Sequence, residues 1–163
     1  MGKNSGVFFV PIPNPQFLIP LAYWTMGPRR KGRELALQAL YQLEMTGDGS
    51  PKAIELFLSH FEGGAEAKEF ALRLVSGVAA HREELDRIIE RAAEHWKLSR
   101  MAKVDLTILR LAAYELLFCP DIPVNVSLDE AIEIGKRYGS GDSATFINGI
   151  LDQVAHASGA KTE

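Results

Sequence analysis

The sequence predicts an all-α fold of six or seven helices joined by short connections. Three observations support it: apolar residues recur at the 3.6-residue helical spacing, no segment alternates with the period of two that a half-buried strand needs, and capping residues, glycines and prolines punctuate the chain at short intervals. The first helix is expected from Leu35 onward, with Ala36, Leu37, Leu40, Tyr41 and Leu43 on one broad apolar face. "TGDGSP" (46–51) is dense in turn formers, and Ser50-Pro51 reads as an N-cap followed by proline at the first helical position. A short second helix follows, with Ile54, Leu56, Phe57, Leu58 and Phe61 as its apolar content, ended by Gly63-Gly64.

A helical stretch from Ala65 to about Trp96 is expected to divide near "GVAAHREE" (77–84). Phe70, Leu72, Leu74, Val75 and Val78 serve one face, and Leu85, Ile88, Ile89 and Ala92 restart the stripe. The stretch 97–123 carries apolar residues on nearly every side from Val104 to Phe118, the mark of a central helix; Ser99 is expected to cap it, and Pro120 and Pro123 stop it. Ser127 with Glu130 then reads as a capping box ahead of a helix that closes at Gly139. The last helix is expected to be capped by Asp142 or Ser143 and to turn Phe146, Ile147, Ile150, Leu151 and Val154 inward.

At 163 residues the chain is one domain by length, and its 47% hydrophobic and 24% charged residues are ordinary for a soluble globular protein. A net charge of −3 argues against a polycation that coats nucleic acid, so an anion site must be local. The single cysteine, Cys119, excludes an internal disulfide framework and fits a cytoplasmic location; at the end of an apolar helix it reads as a small buried hydrophobe. Residues 1–25 are apolar and aromatic, but Pro11, Pro13, Pro15 and Pro20 interrupt every run before it reaches membrane-spanning length. The segment reads either as a weakly ordered tail or as translated upstream sequence ahead of a start at Met26. The second is the expectation here, and the domain is taken as 26–163.

Little points to catalysis. His60, His81, His95 and His156 are scattered without metal-ligand spacing, and no glycine-rich phosphate loop follows a strand. The carboxylates of 81–94 and 128–137 lie three or four residues from basic partners, as Glu83 does from Arg87, which describes a solvated, ion-paired face. Neither a cofactor nor a metal is expected. The exception to this bland picture is "MGPRRKGRE" (26–34). Arg29, Arg30, Lys31 and Arg33 sit at a helix N-terminus, whose partial positive charge prefers acidic neighbours, against the single Glu34. Helix stability does not explain that cluster, whereas guanidinium forks beside free backbone N–H groups suit phosphate oxygens.

Four ordered motifs, "RRKGRELALQALYQLE" (29–44), "W.L.RM..VDLTILRLAAYELL" from Trp96, "IPVNVSLDEAIEIGKRYG" (122–139) and "DSATFINGILD" (142–152), give the chain from about Pro28 to Ala155 a resemblance to the bacterial antitermination factor family NusB. The resemblance implies two small helical bundles packed together and a non-catalytic role. Such proteins bind the boxA element of nascent ribosomal leader RNA together with the small-subunit ribosomal protein that acts as NusE, within the RNA polymerase antitermination complex. It implies RNA contacts at Arg29, Arg30, Lys31 and Arg33, and at Asp142, Ser143 and Phe146. Tyr41 and Asp105 fall where the family meets its ribosomal-protein partner or the adjacent RNA. Lysine at position 31 keeps charge but gives up the bidentate fork. Self-association as a homodimer could hide the same arginines. Two alternatives stand beside this reading. One is the recognition domain of ribosomal-RNA cytosine methyltransferases, which has a similar fold and implies a catalytic domain beyond Glu163. The other is a helical protein-interaction adaptor whose basic start is incidental.

Overall fold

The computed structural model describes residues 26–61 and 63–159, and these form seven α-helices and one short 3-10 turn. Residues 1–25, and with them the expectation of a start at Met26, lie outside the described residues. Helix α1 spans Pro28–Thr46, α2 Pro51–Ser59 and α3 Ala65–Ala80, and these three pack together as one bundle. Helices α4 (Arg82–Ala92), α5 (Lys103–Phe118), α6 (Val124–Tyr138) and α7 (Ser143–Ala157) form the second. Helix α5 packs against members of both, and one hydrophobic core runs through the pair with Leu35, Leu37, Leu74, Leu85, Ile108, Leu109, Ile147 and Leu151 fully enclosed. No described helix is long and apolar enough to cross a membrane.

Where the stop and start signals act on their immediate neighbours, the elements fall where the pattern places them. Gly47 ends α1 in the left-handed region, φ 72°, and its N–H donates to the Leu43 carbonyl at 2.9 Å. The Ser50 hydroxyl accepts from the Ala53 N–H at 3.2 Å, with Pro51 in the first turn of α2. The long helical stretch breaks at His81, and α6 closes before Gly139.

Other boundaries differ. Helix α1 begins at Pro28, seven residues ahead of the first apolar position, because proline at N1 and packing against α3 nucleate it there; its basic residues lie within its opening turns. Ser99 caps nothing: Leu98–Arg100 is a 3-10 turn, and α5 starts at Lys103 behind Ala102. The expected capping box is also absent. Helix α6 starts at Val124, so Ser127 and Glu130 are interior positions, and both side chains leave their own helix. The Ser127 hydroxyl donates to Glu115 at 2.9 Å, and Glu130 accepts from Arg30. A tertiary partner has taken each side chain that a local cap would have used.

The approach of α1 to α3 requires Gly32. A Cβ there would lie 2.7 Å from the Phe70 ring and 2.9 Å from the Ala67 carbonyl oxygen, distances that carbon does not tolerate. The hydrogen is what lets the basic turn of α1 lie flat on Phe70.

Candidate nucleic-acid interface

The four cations at the start of α1 have four different environments. Arg29 is exposed, with its guanidinium 4.3 Å above the Phe70 ring centroid, a cation–π contact that holds the charge at the surface. A recess of about 210 Å³ beside it is lined by Glu66, Glu69, Phe70 and Arg73. Arg30 is half-exposed, 42% for its side chain, and donates from Nε and Nη2 to the two Glu130 oxygens at 3.0 and 2.6 Å. That pair raises the Arg30 pKa, against the opposing effect of burial. Lys31 is half-buried on the same turn.

Arg33 is different. Its side chain is 5% exposed, beneath the same Phe70 ring, and donates from Nε and Nη2 to both oxygens of Glu115 at 2.8 and 2.9 Å. An RNA contact at Arg33, expected along with those at its three neighbours, does not fit this burial: Arg33 is an internal strut between α1 and α5. Its neighbour Glu34 has the same character. It is buried, accepts from Arg137 at 2.6 Å and from the Tyr138 hydroxyl at 2.6 Å, and so ties α1 to the end of α6. Arg137, expected on a solvated face of its own helix, instead crosses to α1, reaching the Met26 sulfur at 3.6 Å as well.

Desolvation, reinforced by the bond to Glu34, pushes the Tyr138 hydroxyl well above the ordinary tyrosine value of roughly 10. Because the folded-state pKa is raised, the stability it contributes is fully present below the unfolded pKa and is lost as pH rises through the folded one. Urea midpoints should thus fall above about pH 10. In Tyr138→Phe that decline should be shallower, with a lower midpoint at neutral pH from the lost bond.

The turn between α6 and α7 lies at the end of α6 that Arg137 anchors to α1. Asp142 is exposed at the N-cap of α7, although its side chain makes no capping bond. Ser143 is 1% exposed and its hydroxyl accepts from the Ser140 N–H at 2.8 Å, so it shapes the turn from inside. Phe146 is half-buried, at 5.5 Å and 76° to Trp96 in an edge-to-face pair. The sites expected for RNA thus resolve into outer groups, Arg29, Arg30, Lys31, Asp142 and Phe146, and inner supports, Arg33 and Ser143.

Tyr41 is half-buried on the second half of α1. Asp105 stands in the first turn of α5, 7% exposed, where the helix dipole favours its charge. Among the described residues its Oδ1 is the one buried side-chain polar atom with no hydrogen-bond partner. Burial pushes the Cys119 thiol up from its ordinary value, which opposes any nucleophilic use. Among the described residues no group of histidines, cysteines and carboxylates is placed to hold a metal.

Sequence reasoning missed one feature. Among the described residues, Trp96 is the most exposed tryptophan, tyrosine or phenylalanine, at 53%, in a segment that also exposes Lys97, Arg100 and, at the start of α5, Lys103. The apolar spacing places Trp96 at the end of one expected helix, just ahead of Ser99 as the expected cap of the next. The structure puts a 3-10 turn there instead, Leu98–Arg100, and no local pattern in the sequence marks the ring as exposed.

Residues 30–156 match the model of the NusB family. The transcription antitermination protein NusB of Geobacter sulfurreducens is 53% identical over 131 residues, which cover 80% of this chain and 95% of that protein. A solved structure of T. maritima NusB is 42% identical with a TM-score of 0.73, covering 80% of this chain and 92% of that one. A chain from a structure of the antitermination factors NusB and NusE in complex with dsRNA is 26% identical with a TM-score of 0.70, covering 80% of this chain and 97% of its own.

Proposed function

Because this chain belongs to the NusB family, we propose that it is a non-catalytic, cytoplasmic transcription antitermination factor that binds single-stranded boxA RNA of nascent ribosomal leader transcripts. It binds jointly with the small-subunit ribosomal protein acting as NusE, so that RNA polymerase reads through terminators. The observation that carries this reading is the basic first turn of α1, held flat on Phe70 by Gly32 and backed by its own inner struts, on a scaffold shared with NusB structures.

Arg29, Arg30 and Lys31 hold phosphates there, aided by the unpaired backbone N–H groups that open any α-helix. Phe146 offers part of its ring to a base, and Asp142 accepts from a base amino group or a 2′-hydroxyl. A patch this small binds weakly and with strong salt dependence. A second protein extending the surface supplies affinity and selectivity. Tyr41 and Asp105 are the candidate contacts for that partner.

The bond from Arg30 to Glu130 means that RNA must displace an internal carboxylate to take this guanidinium. Arg30→Ala should lower the salt slope of binding by up to about 0.7, the single-strand value per phosphate contact. Glu130→Gln, which frees the fork, should tighten binding at low salt. Slopes and affinities unchanged in both variants would remove Arg30 from the site. The reading as a whole is tested by filter binding of a boxA oligoribonucleotide with and without the ribosomal protein. Tighter binding by the pair is expected; no RNA binding in either case favours the adaptor alternative.

A further inference from the structure

We propose that the segment 94–103, "EHWKLSRMAK", which links α4 to the first residue of α5, is a second RNA-contacting element, with Trp96 as a stacking platform for one base and Lys97, Arg100 and Lys103 as its phosphate contacts. The proposal rests on the reading that the protein binds single-stranded RNA and extends it to a surface outside the arginine-rich turn.

Charge is the first argument. The protein carries a net charge of −3, yet this stretch holds three cations against the single Glu94. All three cations are exposed, and among the described residues none is in an ion pair. At the start of α1, by contrast, Arg30 and Arg33 already have carboxylate partners. The loop therefore offers positive charge that a polyanion need not win from the protein.

The second argument is the exposed ring. A tryptophan left 53% exposed sacrifices hydrophobic burial that the fold could have used, whereas a base has an apolar face to cover it. The backbone that carries the ring is also held. Glu94 adopts φ 35°, a left-handed conformation unusual for a residue with a side chain, at the end of α4. The Trp96 N–H donates to the Ala93 carbonyl at 3.0 Å, and the Met101 N–H to the Leu98 carbonyl at 3.1 Å, and the Met101 side chain is buried. A platform fixed before binding loses little entropy when a base arrives.

Continuity with the proposed site is the third. Trp96 packs edge-to-face on Phe146, and Phe146 follows the turn that closes α6, whose Arg137 bonds to Glu34 and Met26 at the start of α1. One strand can thus run from the arginine turn past Asp142 to the two aromatic rings.

Trp96 reports on itself. The chain has two tryptophans, Trp24 and Trp96, so Trp24→Phe leaves one fluorophore. Titrating that variant with a boxA oligoribonucleotide should quench its emission, with the midpoint found by filter binding. Trp96→Ala should weaken RNA binding about tenfold, and Trp96→Phe less. Lys97→Ala and Arg100→Ala should each lower the salt slope by up to about 0.7. Circular dichroism and urea midpoints check that these exposed substitutions leave the fold intact. RNA binding that is sensitive to Arg30→Ala but gives neither quenching nor loss in Trp96→Ala overturns this inference and leaves the proposed function standing. Loss of ribosomal-protein binding in Trp96→Ala, with RNA affinity unchanged, also overturns it and makes the loop a protein-docking surface. No RNA binding by the parent protein, alone or with its partner, removes both.

Discussion

Replacing Arg33 with alanine should lower the free energy of unfolding by about 3–5 kcal/mol, the usual cost of removing one member of a buried ion pair. The geometry places this site at the severe end of surface-to-core contrasts. Both Glu115 oxygens accept from Arg33, one of them also from Ser127, and the two side chains are 5% and 2% exposed. After truncation Glu115 is left charged and dry with one hydroxyl for company, so it must either take up a proton or draw in water. Either response is costly. Arg33→Met with Glu115→Leu should recover much of the loss, because an apolar pair of similar volume avoids desolvation altogether. Urea denaturation measures both variants. At a temperature where Arg33→Ala remains folded, the salt slope of RNA binding should match the parent protein, which separates a strut from a phosphate contact. A reduced slope would return Arg33 to the RNA surface.

Gly32→Ala should destabilise by about 1–3 kcal/mol, the range for an extra methyl group forced into a packed contact. Alanine is the better helix former, by roughly 1 kcal/mol against glycine, so propensity alone predicts the opposite sign. Sterics decide it. The added carbon would meet the Phe70 ring at 2.7 Å, which could swing aside, and the Ala67 carbonyl at 2.9 Å, which belongs to the backbone of α3 and cannot. Helix α1 must then lift away from α3 at the turn that carries Arg29 and Arg30. A loss of RNA affinity should accompany the loss of stability, whereas a change at a remote packing site would bring only the second. Increased stability would show that the two helices have slack where the structure shows none.

What the sequence reveals about this fold depends on how far each side chain reaches. Gly47, Ser50 and Pro51 act on neighbours within four residues, and their turn appears where the pattern places it. The apolar stripes likewise predict six or seven helices, of which the structure has seven, and the central role of α5, because periodicity is a local property with a global consequence. Ser127 and Glu130 have the spacing of a cap but bond to α5 and α1, and no local pattern distinguishes the two uses. Arg33 and Glu34 are the same case in reverse: in the sequence they belong to a charged run, and in the fold each disappears into a different contact. Family motifs located the candidate site, but exposure divides it. The burial of Arg33 is settled by a partner 82 residues away, and the exposure of Trp96 by a turn too short to show a period.

The inner struts also set the order in which the molecule can be made. Arg33 meets Glu115 across 82 residues of chain, and Glu34 meets Tyr138 across 104. While the protein is being synthesised, the first three helices emerge with these two charges still hydrated and with the side destined for α5 uncovered. Closure waits for the latter part of the chain to leave the ribosome, and loop-closure entropy slows such distant pairings. The opening turn thus gains its final shape last, although it is among the first parts to be translated.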